Sequence, residues 1–261
     1  MIHGLGDLGA TQAHQISSSL RRSDPELFSK FNFIIPHAGL IRISVFEKDI
    51  RPGWFDIRSW DNINEDEDLD GFYSSVRSLQ LMMTELGLDL NRTIVAGFSQ
   101  GAVMSLLLTL TLKRPPLLTI MMSGYFPIQE TIKELILQGK RNSIYRSEEF
   151  VRLYWLHGRL DPYFKIKTIR ENFKRLKNYL KLRFLIDNQS SIRDVTNRTD
   201  SLDVRLLAEN QSSSRPQKNL NDWNISRVSI VEFKEFEGLD HNWNDQEIQF
   251  ILQTFKKLPI Y

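Results

Sequence analysis

The chain has 261 residues, 41% of them hydrophobic with 16 Phe and 5 Trp, and a formal charge of +2. That length suits a single domain, 1–261, with a large buried core, and so balanced a charge gives no footprint for a nucleic-acid partner. The absence of cysteine removes disulfides, thiolate metal sites and a cysteine nucleophile together and is compatible with a cytoplasmic or nuclear protein.

His3-Gly4-Leu5-Gly6-Asp7 opens a glycine-rich loop ahead of a helix expected to run through Leu20. Such a loop can turn backbone N–H groups toward an anion, and the Leu5 N–H is the candidate donor. His3 itself reads as a hydrogen-bonded loop histidine. Phe31 to Ile35 reads as a strand, closed by Pro36-His37-Ala38. Trp54-Phe55 lies in an aromatic loop with two readings, a cluster of core aromatics or the wall of an apolar pocket. Asn64 to Asp68 is acidic and reads as a solvated helix start, since carboxylates suit a helix N-terminus. Leu69, Phe72, Val76, Leu79, Met83 and Leu86 then step by three and four, the pattern of an amphipathic helix, expected beneath the following strand.

Thr93 to Ala96 is a short β-branched run that ends in Gly97-Phe98-Ser99-Gln100-Gly101, and an apolar helical segment follows at once. Strand, tight turn and helix are the setting of a nucleophile elbow. The turn requires small residues two before and two after the serine, and Gly97 and Gly101 meet that need. Ser99 is then held proud of the sheet. The Gln100 amide, at the helix start, faces the space where an oxyanion would form.

Leu117 to Met122 and Val151 to Leu156 read as further buried strands. The second runs into His157-Gly158-Arg159-Leu160-Asp161-Pro162, and loops at the C-terminal ends of parallel strands carry the chemistry of α/β proteins. Asp161 reads as an acid that orients a histidine, as a cap for the helix marked by Ile166, Ile169, Phe173, Leu176 and Leu180, or as both. The lysines and arginines of that helix form a solvated face, with at most peripheral contact to an anionic membrane. From about 184 to 223 the pattern gives way to a polar, low-complexity insertion expected to be largely disordered. A strand from Val228 to Phe233 follows. His241 then falls in the loop before the last helix, which Asn244 or Asp245 caps. Nucleophile, acid and base in the order Ser99, Asp161, His241 match the order of one large hydrolase class.

These pieces together resemble the acyl-protein thioesterase/lysophospholipase branch of the α/β-hydrolases. The matching residues are His3-Gly-Leu-Gly-Asp7, Pro36-His-Ala38, Trp54-Phe-Asp-Ile57, Gly97-Phe-Ser-Gln-Gly101, His157-Gly158 with Asp161-Pro162, and Glu237-Gly238 with His241. The resemblance implies a mostly parallel central sheet with helices on both faces. It implies a serine esterase that cleaves fatty-acyl thioesters from S-palmitoylated proteins, with lysophospholipids or small esters as alternative substrates, and needs neither metal nor cofactor. Ser99 would be the nucleophile, His241 the base and Asp161 its orienter, with the amides of Leu5 and Gln100 as the oxyanion hole and Trp54 and Phe55 in the acyl pocket. The family carries two or three strands ahead of the His-Gly-Leu-Gly-Asp segment, where this chain has Met1-Ile2. The N-terminal strands are therefore expected to be missing, as in a gene model that starts late. A hydrolase-fold binding protein without activity is the reading from another class.

Overall fold

The computed structural model describes residues 1–128, 130–132, 151–193 and 230–258. A hairpin of β1 (Leu40–Ile43) and β2 (Asp49–Pro52) stands apart from the main sheet. The main sheet is formed by β3 (Ile94–Phe98), β4 (Leu118–Met122), β5 (Arg152–Gly158) and β6 (Ile230–Phe236). It runs in the order β3-β4-β5-β6 with every pair parallel. Strands β3 and β4 are continuous apolar runs, such as Leu-Thr-Ile-Met-Met, because the sheet is covered on both faces there, whereas β6, last in the order, alternates and exposes Glu232 and Lys234.

Alternation along those strands divides the core in two. Val95, Met121, Leu153 and Trp155 point to one face, where α3 (Leu69–Glu85), α4 (Gln100–Thr111) and the first turns of α5 (Ile166–Arg193) pack. Phe98, Leu118, Ile120, Met122 and Leu156 point to the other, against α1 (Thr11–Ser23), α2 (Pro25–Phe28) and α6 (Asp245–Phe255). Helix α4 is apolar nearly all round because it lies between β3, β4 and α3, the expected composition of a helix with no solvent face. Phe72, Val76, Leu79 and Met83 of the expected stripe are buried, Leu69 only partly, and the helix packs chiefly on α4; Leu86, just past the helix, is exposed.

Backbone bonds carry the ladder past the C-terminal ends of the strands. Ser99 N–H donates to Met122 O, Ser123 N–H to Leu156 O and Arg159 N–H to Phe236 O, each at 2.9–3.0 Å. On the outer edge of β3, Ile2 N–H donates to Ala96 O at 2.7 Å and Phe98 N–H to Ile2 O at 3.1 Å. That single parallel bridge brings the glycine-rich His3–Asp7 loop to the strand end where Ser99 stands.

Three expectations change. Residues 31–35 form no strand. The Met1 amine donates to Ile34 O at 2.7 Å, and Met1-Ile2 is too short a neighbour to support a ladder. The acidic segment is not simply a solvated helix start. Asp68 does cap α3, accepting from Gly71 N, and its second oxygen accepts from Asp56 N. Glu67, however, is half-buried, accepts from Asn64 Nδ2, Ile128 N and Thr131 Oγ1, and clasps this segment to the loop after β4. Burial pushes its carboxyl above the usual range. Finally, α5 continues to Arg193, ten residues into the stretch read as irregular; no Gly or Pro lies between 166 and 193 to end it. Residues 194–229, which hold the rest of the polar stretch and the first two residues of the strand expected from Val228, lie outside the described residues. Among the described residues no helix is long and apolar enough to cross a membrane.

Candidate active site

The turn from β3 into α4 holds Ser99 at φ 55° and ψ −119°, a backbone state that costs a non-glycine residue about 1–3 kcal/mol. The glycines on either side make it possible. A Cβ on Gly97 would come within 2.0 Å of Gly101 O, and one on Gly101 within 2.1 Å of Ile2 O. The helix begins at Gln100, whose N–H has no carbonyl of its own helix to bond.

Two distant loops reach this serine. His241 Nε2 is 2.9 Å from Ser99 Oγ, and His241 Nδ1 is 2.7 Å from Asp161 Oδ2. The other Asp161 oxygen accepts the amides of Tyr163 and Phe164 at 2.9 and 2.8 Å. One carboxylate thus ties the turn ahead of α5 and holds the histidine; it is not the cap of the helix, which begins five residues on at Ile166. The rings of Phe98, Tyr163 and Phe164 surround His241 with centroids 5.0–5.3 Å away, which limits the positions the imidazole can take.

His157 stands behind Asp161, fully buried. Its Nε2 is 2.7 Å from Phe164 O and 3.6 Å from Asp161 Oδ2. Burial lowers its pKa, so it is a neutral ring that donates from Nε2. Its Nδ1 has no hydrogen-bond partner, as suits the unprotonated nitrogen of that tautomer.

The glycine-rich loop passes directly beside Ser99: a Cβ on Gly4 would stand 3.3 Å from Ser99 Cβ. His3 is buried, accepts from Ala38 N–H through Nε2 at 2.9 Å and is 2.7 Å from Gly4 O through Nδ1. An acceptor Nε2 leaves the proton on Nδ1, so His3 is neutral and donates to Gly4 O; burial also lowers its pKa. His3 is the hydrogen-bonded loop histidine that its sequence position suggests. His37 is exposed, 6.2 Å from the His3 ring.

Residues 1–204 match the family model described as Phospholipase/Carboxylesterase. The chain belongs to the phospholipase/carboxylesterase family. It is similar to the acyl-protein thioesterase 1 of Saccharomyces cerevisiae, with 28% identity over 187 residues, covering 68% of this chain and 78% of that protein. It is also similar to the acyl-protein thioesterase 1 of Cryptococcus neoformans, at 30% identity over 62% of this chain and 64% of that protein, so it spans less than two thirds of that relative. Among solved structures, Arabidopsis thaliana SOBER1 superposes with a TM-score of 0.65 at 16% identity, covering 98% of this chain and 95% of that one. Zea mays acyl-protein thioesterase 2 gives 0.54 at 18% identity, over 98% and 90%. These two show a shared fold. The chain is an α/β-hydrolase of a carboxylic ester hydrolase family.

The family match ends at residue 204, before His241, so the histidine rests on position and geometry alone. Of the other expected site residues, Gln100 opens α4 directly after Ser99, and Leu5 follows Gly4, which packs against the Ser99 side chain. Trp54 and Phe55 are different: at 6% and 1% exposed they belong to the core, with Phe55 packed 4.3 Å from the Phe72 ring. They offer no open wall to an acyl chain. Leu160 and Tyr163, on either side of Asp161-Pro162, are exposed, the Tyr163 ring lies 5.0 Å from that of His241, and the Trp60 ring lies 5.1 Å from that of Tyr163. The sequence reading missed His157, Tyr163 and the Gln100 side chain. The signal for His157 was the His-Gly pair at the end of a buried strand, where a histidine has no solvent to face.

Proposed function

We propose that the chain cleaves fatty-acyl thioesters of S-acylated proteins through an acyl-serine intermediate formed on Ser99. The observation that carries the chemistry is the unbroken chain from Ser99 Oγ to His241 Nε2 at 2.9 Å and from His241 Nδ1 to Asp161 Oδ2 at 2.7 Å. Residues 142 and 80 positions apart rarely converge so without a proton to move. The similarity to acyl-protein thioesterases supports the thioester as substrate.

In this reading His241 takes the Ser99 proton as the hydroxyl attacks the acyl carbonyl. The N–H groups of Leu5 and Gln100 receive the developing oxyanion. His241 then gives its proton to the departing thiol, and water, activated by the same imidazole, hydrolyses the acyl-serine. Asp161 keeps the His241 proton on Nδ1, leaving Nε2 free to accept. Leu160 and Tyr163 offer apolar contact to the acyl chain beyond its first two carbons. The products are a free thiol on the protein and a fatty acid, and the cytoplasmic side of a membrane is the place of action.

The test is palmitate release from an S-palmitoylated peptide compared with release from lysophosphatidylcholine. The reading expects the thioester to be preferred by at least tenfold in kcat/KM. The reverse order would make the protein a lysophospholipase with the same chemistry, and turnover of neither would overturn the enzymatic reading.

A further inference from the structure

We propose that Trp54 is a positioning residue that fixes the two oxyanion-hole amides relative to one another, acting with the Gln100 side chain. This rests on the serine-hydrolase reading above. The two amides belong to segments far apart in sequence, one in the His3–Asp7 loop and one at the start of α4. Their separation has to match a single oxygen atom, and a misplaced donor forfeits most of its stabilisation.

A run of buried hydrogen bonds connects them. The Trp54 indole Nε1–H donates to His3 O at 2.9 Å. The Trp54 backbone N–H donates to Gln100 Oε1 at 3.0 Å, and Gln100 Nε2 donates to Phe55 O at 2.6 Å. Both functional ends of the Gln100 amide side chain are therefore spent on Trp54 and Phe55, and Gln100 is 2% exposed. Ser75 Oγ, on α3, donates to Trp54 O, which anchors the middle of the connection to the core.

The consequence follows from peptide geometry. The indole fixes the carbonyl of His3. The His3 ring fixes the next carbonyl, Gly4 O, at 2.7 Å. In a trans peptide C=O and N–H point in opposite directions, so holding Gly4 O on the His3 side turns the Leu5 N–H away from it. At the other end, the Gln100 side chain holds the residue whose own N–H opens the helix. The indole carries its donor at that reach within an apolar body. A phenylalanine would fill much of the space and leave His3 O without its partner.

The experiment compares Trp54→Phe, Gln100→Met and the double variant with the wild type, reading kcat, KM, melting temperature and affinity for a palmityl trifluoromethyl ketone, whose adduct mimics the tetrahedral intermediate. Each single variant is expected to lose about tenfold or more in kcat, to keep KM within about twofold, and to bind the ketone more weakly by a matching factor. The double variant is expected to lose less than the product of the two, because both act on one connection. Wild-type kcat and ketone affinity in Trp54→Phe, even with a lowered melting temperature, would reduce Trp54 to a packing residue and overturn the proposal. If Trp54→Phe does not fold, Gln100→Met decides by the same criteria. A wild-type chain that turns over no ester at all would overturn the serine-hydrolase reading itself.

Discussion

His157 Nε2 stands 3.6 Å from Asp161 Oδ2, the same oxygen that His241 Nδ1 approaches to 2.7 Å. One carboxylate thus lies between two imidazoles, and burial distinguishes their roles. His157 is held neutral and spends its proton on Phe164 O at 2.7 Å. The Phe164 amide in turn donates to the other Asp161 oxygen. His157 therefore fixes the loop that carries Asp161, whose Oδ2 makes its shorter contact to His241. His157→Leu is expected to lower kcat at least tenfold with KM little changed, because Phe164 O loses its donor. His157→Gln, whose amide nitrogen can occupy the Nε2 position, should recover most of that loss. Steady-state kinetics of both variants check this, and equal kcat in Leu and Gln variants would deny the hydrogen bond its role.

Asp161→Asn should leave the fold intact, since the Asn oxygen can still accept from Tyr163 and Phe164 N–H. Its NH₂ would then face His241 Nδ1 and favour the tautomer with the proton on Nε2, which cannot take one from Ser99. A kcat lower by about 10⁴ is expected, by analogy with the same change in other triads. Circular dichroism alongside kinetics separates this from unfolding.

Glu247, in the first turn of α6, is fully buried, and burial pushes its carboxyl up to about 8 from an ordinary 4.5. The folded chain therefore holds this proton more tightly than the unfolded one. Its contribution is most favourable below pH 4.5 and declines as pH rises toward 8, levelling above that. Glu247→Gln keeps the shape and removes the titration. The variant should gain stability over the wild type as pH increases from 5 to 8, on the order of a few kcal/mol at the upper end. Denaturant melts at both pH values measure the gain, and a constant difference between the proteins would contradict it.

Tyr163 is 49% exposed with its ring 5.0 Å from His241, and Leu160 is 62% exposed nearby. Tyr163→Ala should raise KM for a palmitoyl substrate several-fold, the scale of losing one apolar contact area, and leave an acetyl ester almost unaffected. Assays across a series of chain lengths test this. A uniform loss at every length would move Tyr163 from acyl contact to support of His241.

Much of the site was legible because its chemistry is local. Ser99 is announced by the two glycines that its backbone state demands, and Asp161 and His241 each follow a recognisable strand. Order along the chain therefore carried the three loops together. Trp54 and Phe55 were ambiguous because an aromatic loop looks alike whether it faces a ligand or the core. Only the hydrogen bonds to His3 and Gln100 reveal which. Residues 31–35 have strand composition but pair with no strand among the described residues, and pairing is not encoded in the strand that lacks it. Glu67 read as solvated because nothing nearby in sequence predicts that Ile128 and Thr131, some sixty residues on, supply its donors.

The most direct measurement is to react the chain with a fluorophosphonate and map the adduct by peptide mass spectrometry. The account predicts one adduct, on Ser99, lost in Ser99→Ala and strongly slowed in His241→Ala. An adduct on another residue, labelling that survives Ser99→Ala, or no reaction of the wild-type chain would contradict it.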